Sequence, residues 1–137
     1  MGGNSLSLLI KRKDDLERAV EFHLKSLGPL PEWEKHYRKA IPGRRYEIDF
    51  CWPEFKVGIE VQGGIWLAKT GKKSGHIGAG AVRDFEKLNL LAEHGWIILQ
   101  WSTDMIRRDP MGLIDQLKRI LKNRGWRNKE GVRIHET

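Results

Sequence analysis

The amino-acid sequence predicts an α/β fold: a small mixed β-sheet flanked by helices on both faces, in the order α-β-β-β-α-β. Three observations predict it. Residues 44–66, RRYEIDFCWPEFKVGIEVQGGIW, hold two runs in which apolar and polar residues alternate about a Trp52-Pro53-Glu54 turn, the period of paired strands. Segments 14–27 and 80–94, one on each side of that hairpin, carry apolar residues at helical spacing. Trp96-Ile97-Ile98-Leu99-Gln100-Trp101 is apolar at nearly every position, as a central strand covered on both faces would be.

Each element has its own signal. Asp14-Asp15 open the first helix with negative charge in its first turn, Leu16, Ala19, Val20, Leu24 and Leu27 form its stripe, and Gly28-Pro29 ends it. Residues 28–43 read as a Pro-rich connection with a basic patch at Lys35, His36, Arg38 and Lys39. In the hairpin, Tyr46, Ile48 and Phe50 alternate with Glu47, Asp49 and Cys51, and Phe55, Val57, Ile59 and Val61 alternate with Lys56, Gly58, Glu60 and Gln62. The glycine-rich, basic segment that follows reads as a strand or a loop, and as a loop it is too long for a passive connection and is either functional or disordered. Val82, Phe85, Leu88, Leu91 and Ala92 are the expected buried side of the next helix, with Gly95 as its C-terminal cap. Asp109-Pro110 signals a last helix with stripe Leu113, Ile114, Leu117, Ile120 and Leu121, up to Gly125. The 137 residues suit one domain, expected over 14–125 between an arm at 1–13 and a tail at 126–137.

Composition narrows the function. The balance of 25 Lys and Arg against 18 Asp and Glu, a net charge of +7, favours a polyanionic partner, of which nucleic acid is the commonest. The single cysteine excludes an internal disulfide framework and a Cys-based zinc site, and fits a reducing compartment. No apolar run approaches the ~20 residues of a membrane span, and the MGGNSLSLLIKRK start lacks the layout of a secretory leader. The chain reads as cytoplasmic, with no membrane partner.

The chemistry lies in the hairpin. If the apolar faces of its strands share one core, Asp49 and Glu60 stand together on the opposite, half-exposed face, level or one diagonal step apart. Two carboxylates so placed raise each other's pKa unless a cation lies between them. Mg²⁺ suits such a pair, since it takes one or two carboxylates and keeps several waters. Glu17, on a helix that must pack near the sheet, is a third acidic candidate. Lys69, Lys72, Lys73, His76 and Arg83 follow the second strand with no acidic residue between Glu60 and Asp84, as phosphate contacts would require. Trp66 offers a stacking platform for bases.

These residues resemble a known group. Asp49, then Glu60-Val61-Gln62 on the next strand, after an acidic helix and before a helix and strand, resembles the core of the PD-(D/E)xK nuclease superfamily. The GGIW run, the G-H-x-x-G segment at His76 and Asp84-Phe85-Glu86-Lys87-Leu88-Asn89 are similar to its very-short-patch-repair-like branch of small phage and bacterial endonucleases. The resemblance spans residues 14 to 105. It implies a restriction-endonuclease-like core and a Mg²⁺-dependent DNA endonuclease, with Mn²⁺ as a substitute. Asp49, Glu60 and the Val61 carbonyl would hold the ion, and Glu17 would be the acidic residue of the first helix. Ile48 replaces the proline of the superfamily pattern and Gln62 its lysine. Gln62 can orient a water but carries no charge. Lys87 is the candidate for a lysine that has migrated to the neighbouring helix, and His76 for an acid/base group or phosphate ligand. Two other readings share the fold: a DNA-binding protein without catalysis, and a branched-DNA resolvase. The resolvase would act as a homodimer through the last helix or the tail.

Overall fold

The structure is a computed structural model that describes residues 12–63 and 78–127. Its elements are α1 (Lys13–Ser26), β1 (Glu34–Tyr37), β2 (Ile48–Trp52), β3 (Val57–Gln62), α2 (Ala79–Glu93), β4 (Ile97–Ser102), α3 (Thr103–Arg108) and α4 (Pro110–Asn123). The strands form one sheet in the order β1-β2-β3-β4. β1, β2 and β3 run antiparallel to their neighbours, and β4 returns parallel to β3 after the α2 crossover. The expected α/β class with a mixed sheet and flanking helices is therefore what forms. The glycine-rich segment 64–77 lies outside the described residues. No helix among the described residues is long and apolar enough to cross a membrane.

Apolar periodicity builds two cores, one on each side of the sheet. Leu16, Val20 and Leu24 of α1 and Ile114, Leu117 and Leu121 of α4 pack on Phe50, Trp52, Val57, Ile59, Val61 and Trp101. On the other side Leu91 of α2, with Trp96 and Ile41, packs on Ile48 and Cys51. Trp126 closes the first core from beyond α4. Helix ends follow the sequence signals. Gly95 takes φ 84° after α2, and the Trp96 and Gly95 amides donate back to Leu91 and Ala92, as a helix-terminating glycine permits. Asp109 caps α4 by accepting from the Gly112 amide at 3.0 Å, with Pro110 in the first turn.

Three expectations are corrected. Residues 34–37, read as part of a basic connection, form the edge strand β1. Glu34, Lys35 and His36 are exposed and Tyr37 is half-buried, so no apolar alternation announces it, and pairing with β2 defines it instead. β4, read as central, is the opposite edge of the sheet, with only Trp101 fully buried. An apolar run cannot distinguish a covered edge from an interior strand. In α2 the buried residues are Ala81 and Leu91, whereas Val82 and Phe85 of the expected stripe are exposed.

The sheet is tightest at Gly58, where an added Cβ would lie 2.8 Å from Ile48 Cγ2 and 3.0 Å from Ile98 Cδ1. Gly58→Ala is therefore expected to lower stability by about 1–3 kcal/mol through overpacking. Ile98→Val, which removes the Cδ1 atom that the new Cβ would meet, should recover part of the loss when made in the Gly58→Ala background. Urea midpoints of the four proteins in that cycle measure it, and simple additivity would show that the two positions do not touch.

Candidate functional site

The site begins with a break in strand alternation. Phe50 and Trp52 face the α1 core, but Ile48, two residues earlier, packs with Cys51 in the α2 core. Residues 48 and 50 of a regular strand would share a face, so the backbone changes face at Asp49. The β2–β3 register pairs Phe50 with Ile59 and Cys51 with Gly58; continued one residue past its last pair, it would set Asp49 opposite Glu60. On the other flank the register pairs Lys35 with Phe50 and Tyr37 with Ile48. His36 is therefore level with Asp49, and its backbone is left-handed at φ 53°. Glu60 in turn pairs with Gln100 of β4. One rung across the whole sheet is thus polar: His36, Asp49, Glu60, Gln100.

Both carboxylates of the rung are buried, Asp49 at 2% exposure and Glu60 at 7%. This corrects the shared, half-exposed face expected from alternation: helices cover the sheet on both sides, and Asp49 meets Lys13 of α1 while Glu60 meets Lys87 of α2. Asp49 Oδ2 accepts from the Val61 N–H at 2.8 Å, and the Lys13 ammonium of α1 lies 3.2 Å from Oδ1. Burial alone would lower the Lys13 pKa, but Asp49 raises it overall. Glu60 is met from the other side, where Lys87 of α2 donates to Oε2 at 2.8 Å and also to the Glu47 carbonyl. Burial first, then the Asp49 charge, pushes the Glu60 carboxyl up to about 7, and Lys87 offsets this only in part.

A second set of groups lies on the α1 side. The Glu17 Oε1 oxygen is 3.2 Å from His36 Nε2, and Glu47 Oε2 is 2.5 Å from His36 Nδ1. Arg38 holds the other Glu47 oxygen at 2.9 Å. Glu17, His36 and Asp49 each offer a ligand atom within 4.8 Å of the others. Partial burial and the Asp49 charge raise the Glu17 pKa. The hydrogen bond to Glu47 raises that of His36. Burial would raise the Glu47 carboxyl, but His36 and Arg38 carry it below its ordinary value.

The structure places Glu17 beside Asp49, which the Val61 amide also meets, and Lys87 of α2 beside Glu60. Gln62, one residue beyond this group on β3, donates to Gln100 Oε1 at 3.1 Å. A cavity of about 320 Å³ opens beside it, with Glu60 and Lys87 in its wall. Arg83 is exposed on the first turns of α2. Trp66, Lys69, Lys72, Lys73 and His76 lie outside the described residues. Sequence reasoning missed His36, Lys13 and Glu47 as neighbours of the site. His36 was assigned to a solvated basic patch, and only its place opposite Asp49 in a strand without apolar pattern reveals it. No protein-family model, no curated protein and no solved structure matches this chain.

Among the described residues, Glu17, His36 and Asp49 could hold a metal ion. Two ammonium groups already sit on the two buried carboxylates, Lys13 on Asp49 and Lys87 on Glu60, and oxygen donors of this kind suit Mg²⁺. Lys13 is half-exposed at the start of α1, so it can yield its place.

A pH effect follows for the metal-free protein. A carboxyl raised from 4.5 to about 7 binds a proton in the folded chain that the unfolded chain has already lost. Its stabilising contribution is complete below about 4.5 and disappears as pH rises through about 7. In EDTA, the melting temperature of Glu60→Gln minus that of wild type should therefore rise by roughly 5–10 °C between pH 5 and 8. A gap that does not change with pH would mean that Lys87 keeps Glu60 ionised throughout.

Proposed function

We propose that this chain is a Mg²⁺-dependent DNA endonuclease of the PD-(D/E)xK type, with Mn²⁺ able to substitute. The observation that carries the reading is the buried rung: Asp49 and Glu60 on adjacent strands, with the Lys87 ammonium 2.8 Å from Glu60. Ordinary folding gives no reason to bury two carboxylates side by side, because each raises the desolvation cost of the other. A lysine from the adjacent helix also supplies the positive charge that Gln62 lacks. The net charge of +7 supports a nucleic-acid substrate.

In this reading Asp49, Glu60 and the Val61 carbonyl hold the ion. When bound, Mg²⁺ polarises the scissile phosphate, lowers the pKa of a water and offsets charge on the leaving oxygen. The chain does the rest. Lys87, tied to both Glu60 and the Glu47 carbonyl, presents a fixed cation to the phosphate oxygens. Gln62 orients the attacking water, whose oxygen forms the new bond to phosphorus as the P–O ester bond breaks. The proton from the water passes to solvent, and the leaving alkoxide is protonated. Glu17 reaches the same region from α1 and His36 fixes it there. Arg83, Lys69, Lys72 and Lys73 contact the DNA backbone, Trp66 stacks on a base, and His76 contacts phosphate or transfers a proton.

Cleavage of supercoiled plasmid and of a synthetic four-way junction tests this. Wild type should cut in Mg²⁺ or Mn²⁺ and not in EDTA. Asp49→Ala and Glu60→Ala should lose cutting by at least about 100-fold, and Lys87→Met by about 100- to 1,000-fold, with far-UV circular dichroism unchanged. Salt-sensitive DNA binding without cleavage by wild type in either metal would reject the enzyme and leave a DNA-binding protein. A strong preference for the junction would favour a resolvase.

A further inference from the structure

The cavity beside Glu60 has a chemistry that metal binding does not use. Its volume of about 320 Å³ lies at the small end of ligand sites. One wall is apolar, built by Phe85 and Leu88 of α2 and Met105 of α3. Phe85 is 42% exposed and Met105 39%, so two large apolar side chains stand open where the core has no use for them. Gln62, Gln100 and Ser102 are the cavity's polar, uncharged lining residues. The two glutamine amides share one hydrogen bond of 3.1 Å. Each primary amide has two donors and two acceptor lone pairs, so a single mutual bond leaves most of their capacity for a ligand. Glu60, Asp84 and Lys87 are the cavity's charged lining residues.

Together these features define the occupant. It has a flat, polarizable face for Phe85 and Met105 and an edge of mixed donors and acceptors for the amides. It also sits next to a group that interacts with a cation and a carboxylate-held metal. An unstacked nucleobase, attached to the phosphodiester that the site acts on, has all three properties. We infer that this cavity is a nucleobase pocket, which takes one base swung out of the helix beside the scissile phosphate.

The position of the phosphate rests on the nuclease reading, while the base contacts do not. A base in a paired duplex is stacked on both faces, and extracting it costs free energy that an unpaired base has already lost. The preferred substrate is therefore DNA with an unpaired base at or next to the cut.

Binding in EDTA isolates the pocket from the chemistry. Fluorescence anisotropy would compare three duplexes of one sequence: fully paired, with a one-nucleotide bulge, and with the same bulge made abasic. The abasic duplex keeps the bend and flexibility of the bulge and removes only the base. Wild type should prefer the base-bearing bulge to the abasic one on the order of ten-fold. Phe85→Ala and, independently, Met105→Ala should shrink that ratio to about two-fold or less. Both residues are partly exposed, and circular dichroism checks that each variant folds. Equal affinity for the base-bearing and abasic bulges overturns the pocket. Cutting in Mg²⁺ without a base preference overturns the pocket and leaves the nuclease. A base preference without cutting in either metal leaves the pocket and overturns the nuclease. No binding to any of the three duplexes overturns both.

Discussion

The burial of two carboxylates on one rung of a four-stranded sheet constrains everything around it. Removing a carboxylate from water costs several kcal/mol even after the protein relaxes, and two neighbours cost more than twice one. The fold offsets this with groups drawn from every layer. The Val61 amide comes from within the sheet, Lys13 from α1 and Lys87 from α2. Neither helix is free to slide, because each is tied to the rung by a charge as well as to the sheet by its apolar stripe. The face change at Asp49 belongs to the same arrangement. A regular strand would aim Asp49 with Cys51 into the α2 core, whereas the break turns it toward the Val61 amide and the start of α1.

His36 shows how far the constraint spreads. A left-handed backbone is uncommon for a non-glycine residue, and it occurs here in the edge strand, level with the break. Its imidazole joins Glu17 of α1 to Glu47, just before β2. Glu47 in turn gives its carbonyl to Lys87 of α2. A chain of polar contacts thus runs from one helix layer through the sheet to the other, with Asp49 beside it. The Asp49 charge raises both Glu17 and Glu60, so the acidic groups on the two sides of the sheet are not electrostatically independent.

Much of this was legible in the sequence and some was not, for physical reasons. The hairpin, the stripes of α1 and α4 and the caps at Gly95 and Asp109 follow from local patterns. Lys87 followed from helical position together with a family resemblance. Strand β1 could not be read, because Glu34-Lys35-His36-Tyr37 lacks alternation and becomes a strand only through its partner. The break at Asp49 was hidden for the opposite reason. Its flanking residues alternate well, and only the competition between two cores for Ile48 and Phe50 sets their faces. Phe85 and Val82 fit a helical stripe in sequence, yet the stripe points past the edge of the sheet into the mouth of the cavity. Periodicity reports which residues share a face of an element. It does not report what covers that face.

That exposed stripe and the buried rung are two ends of one arrangement. A helix packed fully over β3 and β4 would bury Phe85 and Leu88 and seal Glu60, leaving a carboxyl that no substrate could reach. α2 instead buries Ala81 and Leu91 and leaves Phe85 and Leu88 lining the cavity. The cavity costs apolar contact along α2 and along the edge strand β4, which is why so little of β4 is fully buried. In return a buried carboxyl, Glu60, is among the residues that line the cavity. A cation that bound only the folded chain would stabilise it by relieving the desolvation cost of that carboxyl, so any affinity for a cation would be linked to stability. On the nuclease reading, the base pocket and the catalytic carboxyl lie side by side because one incompletely packed helix creates both.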